Sequence, residues 1–194
     1  MWFSEIRIIL ASRSPRRVQL LRETGIPFIV RSPEVPEDYP AHLAADEVAP
    51  YLAQKKARAA AGLLEKENDV LLTADSTVIL GEAILDKPAD RDQAMATLRR
   101  LSGKTHRVVT GVCLLSHRRE RCFAGVSKVA FEALQEAEIE YYVDHFQPYD
   151  KAGSYAIQEW IGLCKVSAIE GTYTNIVGLP MEQVYRELQR LVEP

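Results

Sequence analysis

Apolar runs rich in branched residues alternate along the chain with amphipathic stretches of helical period. The strand candidates are 6–11, 28–31, 70–80, 107–115, 121–131 and 161–169. The helix candidates are 15–24, 51–64, 91–101, 136–146 and 181–192, the last with Val184, Leu188 and Leu191 as its apolar stripe. The punctuation agrees with these elements. Ser14 suits an N-cap, Pro15 the first helical position and Gly25 the exit. Asp90 suits the cap of 91–101, and Ser102-Gly103 its end. His117-Arg118-Arg119-Glu120 reads as a hairpin turn carrying solvated charges. Alternating strands and helices with an antiparallel hairpin predict an α/β fold on a mixed sheet. The proline-rich stretch 31–40, with Glu34, Glu37 and Asp38, reads as an ordered loop over a cleft. No repeat, linker or low-complexity tract divides residues 1–194, which are expected to form one domain of two lobes around that cleft.

Composition narrows the classes. At 194 residues, 47% hydrophobic and 26% charged, the chain has the make-up of a globular protein rather than a disordered one. A net charge of −3 argues against a general surface for a nucleic-acid polymer. No basic-then-apolar leader and no apolar run of membrane-spanning length is visible, so a cytoplasmic protein without membrane contact is expected. Cys113, Cys122 and Cys164 form no CxxC and have no His at metal-ligand spacing; they are expected to be core thiols in a reducing compartment.

The chemistry begins at the first strand–helix junction, Leu10-Ala11-Ser12-Arg13-Ser14-Pro15-Arg16-Arg17. A helix N-terminus offers free amides and a positive dipole end. Arg16 and Arg17 oppose that dipole unless an anion joins them, and the Ser12 and Ser14 hydroxyls lie close in sequence, so the junction reads as a phosphate site. It is not a Walker loop, since no GxxxxGK occurs. Asp75 interrupts an apolar strand, where a carboxylate is costly unless paired or bound to a metal. It is either a hydrogen-bond acceptor at a strand bend or a chemical group. Lys87, in Asp86-Lys87-Pro88, is either an exposed turn lysine or a phosphate ligand. His106 and His145 have no spaced partners and suit hydrogen-bonding roles in core or surface; no Ser-His-Asp or Cys-His signature is present. The stretch from Asp150 to Gln158 mixes charges, glycine, Tyr155 and an amide able to read a base edge, and Glu170 to Asn175 adds a second polar loop.

Taken together, these segments resemble the Maf family of nucleoside triphosphate pyrophosphatases. The matching stretches are Leu10 to Arg17, Gln54-Lys55-Lys56-Ala57-Arg58, Ala74-Asp75, Asp86-Lys87-Pro88, Leu101 to His106, Asp150 to Gln158, and Asn175 to Pro180, in family order. The resemblance implies an elongated, curved mixed sheet flanked by helices with a central cleft, similar to the inosine triphosphate pyrophosphatases. It implies hydrolysis between the α- and β-phosphates, a divalent cation (Mg²⁺ or Mn²⁺) and a homodimer. It further implies Asp75 as the catalytic carboxylate, acting as proton acceptor or metal ligand, Glu37 as a residue that helps hold the metal, and Ser12, Arg16, Arg17, Lys56 and Lys87 as phosphate ligands. Arg16, Ser76 and Gln158 are tied to substrate choice. Arg16, Asp150-Lys151 and Ile157-Gln158 resemble the dTTP/UTP branch rather than the 7-methyl-GTP branch. Two residues depart from that branch's pattern: Ser76 stands where Thr is usual, and Glu159 where Gly is usual. Two other readings compete with dTTP/UTP hydrolysis. One is a nucleotide-binding regulator of septum formation and cell division that does not turn over. The other is the same chemistry on modified pyrimidine nucleotides.

Overall fold

A computed structural model describes residues 1–192 of the chain. In chain order the elements are β1 (Arg7–Leu10), α1 (Pro15–Glu23), β2 (Phe28–Val30), α2 (Ala45–Ala59), β3 (Asp69–Leu80), β4 (Ala83–Ile84), α3 (Arg91–Leu101), β5 (Thr105–Leu115), β6 (Glu120–Phe131), α4 (Glu136–Phe146), α5 (Trp160–Lys165), β7 (Val166–Glu170), α6 (Tyr173–Val177) and α7 (Met181–Val192). The strands form one curved, open, mixed sheet in the order β2-β1-β3-β5-β6-β7, with β4 paired to β3. β1 runs parallel to β2 and β3, and the remaining pairs are antiparallel. The α/β mixed sheet read from the sequence is thus the fold observed. No helix among the described residues is long and apolar enough to cross a membrane.

Two apolar clusters meet along the long central strands. One collects Ile8, Leu10, Leu72, Ala74, Val112 and Leu114 under α1 and α7. The other collects Val78, Leu98, Val108, Val129, Tyr142 and Ile157 under α3 and α4. On β3, Ala74 belongs to the first and Val78 to the second, with Ser76 between them. On β5, Val112 and Val108 divide in the same way, with Thr110 between them. Strand alternation puts these residues on one face, so the face changes from apolar to polar and back within two strands. The opposite face is covered by α2, whose Ala45, Val48, Ala49, Leu52, Ala53 and Ala57 form a buried stripe.

Three expectations need correction. Helix α2 begins at Ala45, ahead of Pro50, rather than at position 51. The Ala44 amide donates to the Glu47 carboxylate (3.2 Å), and Asp46 and Glu47 complement the dipole of the first turn. The buried stripe then offsets the cost of a proline inside the helix. The stretch 161–169 is not one strand but a short helix followed by β7. A short apolar run is ambiguous between the two forms; here Gly162 packs so tightly on Ile157 that a Cβ would lie 1.9 Å from its carbonyl oxygen. The cysteines are not three core thiols. Cys113 and Cys122 face each other across β5 and β6 and form a disulfide, Cα atoms 4.2 Å apart, while Cys164 is exposed.

Candidate active site

The strand–helix junction is built as its sequence predicts. Ser14 caps α1 by accepting from the Arg17 amide, and Pro15 opens the helix. This turn aims Arg16 and Arg17 over the C-terminal end of β1, beside the polar waist of β3. A cleft of about 1110 Å³ opens there. Ser12, Glu37, Lys56, Asp75, Lys87 and Gln158 line it, as do Arg16, Arg17 and Ser76. The structure therefore gathers in one cleft every site residue expected from the sequence. The proline-rich stretch supplies part of the wall through Ser32, Val35, Pro36 and Tyr39.

The two arginines differ in what they touch. Arg17 is spent on the protein: its Nε donates to Gly178 O (2.8 Å), one amino group to Ala74 O (2.9 Å) and Ser12 Oγ (3.4 Å), and the other to Ser76 Oγ (3.0 Å). Four of its five N–H donors point at groups of three separate segments. Burial lowers its affinity for the proton, with Asp75 opposing and Arg16 adding to that effect. Arg16 makes one contact, from an amino group to Asp150 Oδ2 (3.0 Å). Ser76 is fixed in turn. Thr110 gives its only hydroxyl hydrogen to Asn175 O (3.0 Å), so across their 2.9 Å contact Ser76 donates to Thr110 while accepting from Arg17. A threonine would make the same bonds, so the departure at Ser76 keeps the waist connected.

Opposite this wall, α2 and the loop before it present charge. The Lys56 ammonium donates to both Glu37 Oε1 (2.6 Å) and Asp75 Oδ1, standing between two carboxylates. Lys87 Nζ lies 3.7 Å from the other Glu37 oxygen. Burial alone would raise the Glu37 carboxyl, but the bond and charge of Lys56, helped by Lys87, hold it below the ordinary value. Asp75 is nearly buried. Two hard oxygen donors already arranged about a positive charge are a donor set that suits a divalent cation. Gln158 is exposed in the lining of the cleft, which also includes the apolar Val78, Leu85 and Ile157 and the Tyr155 ring.

Thr110, not singled out from the sequence, also shapes this site. It sets the waist together with Asn175 of the second polar loop, whose Nδ2 donates to Val108 O (3.0 Å) and Ser127 Oγ (2.9 Å). Asp150 and Lys151 belong to a stretch singled out for its charges, but their contact with Arg16 required the fold. The two histidines behave as expected: His106 is buried with Nε2 2.7 Å from the Tyr155 hydroxyl, and His145 Nδ1 lies 2.8 Å from its own helix at Tyr141 O.

Against this geometry, the family model described as Maf-like protein matches residues 7–191. A protein named dTTP/UTP pyrophosphatase from Bacteroides fragilis is 47% identical over 186 residues, covering 95% of this chain and 96% of that one. Another of the same name, from Porphyromonas gingivalis, is 48% identical over 187 residues, covering 94% and 93%. Among solved structures, the Staphylococcus aureus Ham1 protein is 14% identical and covers 64% of this chain and 71% of its own, with a TM-score of 0.48.

Proposed function

The chain belongs to the Maf-like protein family, and from that membership we propose that it hydrolyses dTTP and UTP to the nucleoside monophosphate and pyrophosphate. The observation that carries this reading is the Lys56 ammonium held between Glu37 and Asp75, across one cleft from Arg16. A triphosphate is a polyanion, and Arg16, Lys56 and Lys87 supply cations of two kinds, a planar fork and mobile point charges. Arg17, Ser12 and the amides of the first turn of α1 complete that end. Arg17 contributes chiefly by fixing Ser12 and Ser76, since most of its donors are already engaged.

The pyrimidine lies at the other end. Val78, Leu85 and Ile157 offer apolar contact, and the Gln158 amide, donor and acceptor in one group, reads the base edge. Arg16 and Ser76 set where the sugar and α-phosphate rest between these ends. Asp75 takes the proton of the water that attacks the α-phosphate, and Lys56 beside it orients that carboxylate. Asp75 and Glu37 would hold a divalent cation, Mg²⁺ or Mn²⁺, which when bound neutralises phosphate charge and favours ionisation of water. The enzyme acts in the cytoplasm on a free nucleotide.

The test is pyrophosphate release from UTP, dTTP, CTP, ATP and GTP with Mg²⁺ or Mn²⁺. Release is expected fastest from UTP and dTTP. Asp75→Asn is expected to lower kcat at least about 100-fold, as loss of a positioned acid–base group does, with an unchanged melting temperature. Tight nucleotide binding without release by the unmodified protein would favour the non-hydrolysing regulator instead. Fully active Asp75→Asn would remove that residue from the chemistry.

A further inference from the structure

The departure at Glu159 leads to a set of contacts that runs from behind the cleft wall into it. Gln158 lines the cleft, whereas the next side chain reaches the opposite way. The Glu159 carboxylate accepts from the hydroxyl of Tyr142, a fully buried residue of α4. That hydroxyl also accepts from the Ala156 amide (3.1 Å), so one end of Glu159 is tied to core and backbone. Its other oxygen lies 3.4 Å from Lys151 Nζ. Lys151 is buried and donates to Asp150 Oδ1 (2.8 Å), and Asp150 Oδ2 accepts from Arg16 (3.0 Å). Charges therefore alternate, Glu159, Lys151, Asp150, Arg16, from the core to the phosphate end of the cleft.

A buried ammonium needs counter-charge. With Asp150 as its sole partner, Lys151 would draw the whole carboxylate and compete with Arg16 for it. A second carboxylate on the far side shares the ammonium and leaves Asp150 Oδ2 to Arg16. Burial and the neighbouring carboxylate push the Tyr142 hydroxyl above the ordinary range, which keeps it a donor to Glu159. The hydrogen bonds from Lys151 and Arg16 outweigh the burial of Asp150 and hold its carboxyl below the ordinary value. We infer that Glu159 is a positioning residue for Arg16, acting through Lys151 and Asp150. The inference rests on the reading of Arg16 as a ligand of the triphosphate.

The experiment compares Glu159→Gln, Asp150→Asn and the double variant with the parent chain. It measures KM and kcat for UTP and the Kd of α,β-imido-UTP, which binds without being cleaved. Glu159→Gln is expected to raise KM and Kd about 5-fold, the effect of weakening a charge-assisted contact at one remove, with kcat within about 2-fold of the parent. In the Asp150→Asn background the same change is expected to add less than about 2-fold, because residues acting in one chain are not additive. Tyr142→Phe, which removes the anchoring hydroxyl without changing a charge, is expected to move Kd in the same direction. Unchanged KM and Kd in Glu159→Gln would overturn the inference, and so would effects that multiply in the double variant. If Glu159→Gln does not fold, an unchanged Kd in Tyr142→Phe overturns it. Failure of the underlying reading looks different. Parent protein that binds the analogue but releases no pyrophosphate removes the activity while Kd still tests the relay, and Arg16→Ala with unchanged Kd removes Arg16 from the phosphate site.

Discussion

Arg16 and Arg17 are neighbours of one type at one helix end, yet their surroundings assign them different work. Arg17 ties the first turn of α1 to β3 and to Gly178, using donors that a lysine cannot replace in number or direction. Arg17→Lys is therefore expected to cost about 2 kcal/mol of folding stability, the scale of a lost charged hydrogen bond with partners left unpaired. Urea unfolding followed by circular dichroism measures it. A parent-like midpoint would return Arg17 to a purely ligand-binding role. Arg16, with a single contact to Asp150, has little of the fold depending on it. Arg16→Ala is expected to raise KM for UTP about 10-fold or more while the unfolding midpoint stays put. The pair of arginines was legible in the sequence as an anion site, because like charges at a helix N-terminus need a counter-ion. The division of labour was not, since, apart from Ser12, the partners of the Arg17 side chain come from positions 57 to 161 residues away.

At the scale of the element, the side wall of the cleft depends on how closely α2 lies on the sheet. Helix α2, which carries Lys56, lies close over β5 at Ala49 and Pro50, and Gly111 is the residue that permits it. A Cβ there would meet the backbone of Ala49 and Pro50 at 2.4 Å. Gly111→Ala must push α2 away from the sheet at Ala49 and Pro50, and if the helix moves as a rigid rod Lys56 shifts with it. We expect kcat/KM to fall about 10-fold or more, as 1 Å displacements of positioned groups commonly do, with the circular dichroism spectrum retained. Unaltered kinetics in Gly111→Ala would mean that the helix height does not set the Lys56 position. The alanine stripe that makes the helix thin (Ala45, Ala49, Ala53 and Ala57) lies half outside the helix expected from the sequence, which opens only at position 51. Its start was misjudged because Pro50 carries a strong stop signal, which burial of the stripe overrides. Likewise 161–169 had the composition of a strand. Its first half is helical instead, with Gly162 packed against the Ile157 backbone. The cross-strand cysteines were missed because a hairpin register, not a sequence spacing, brings Cys113 opposite Cys122.

For the whole molecule, the cleft is a polar seam between two apolar clusters, and the α3/α4 cluster contains a titratable group. His106 is buried edge-on against Phe131 and Tyr155, and burial pulls its pKa down to about 4 from the ordinary 6.5. The unfolded chain takes up that proton at higher pH than the native one, so stability rises with pH across this interval. The contribution is complete above about pH 6.5 and is lost as the pH falls toward 4, an effect of about 3 kcal/mol at most. The cluster also holds Val78, three residues beyond Asp75 on the same strand, and Ile157, next to Gln158. Acid therefore weakens the packing behind the base-reading end of the cleft before it reaches the α1/α7 cluster, where no buried histidine lies among the described residues. Urea unfolding between pH 4.5 and 7.5 should show a steep fall in the parent and a shallower one in His106→Gln, which is neutral throughout. Equal slopes in the two proteins would remove His106 as the source of the acid sensitivity, since the lowered Glu37 gives a loss of stability only in a more acidic interval, below its unfolded pKa of 4.5.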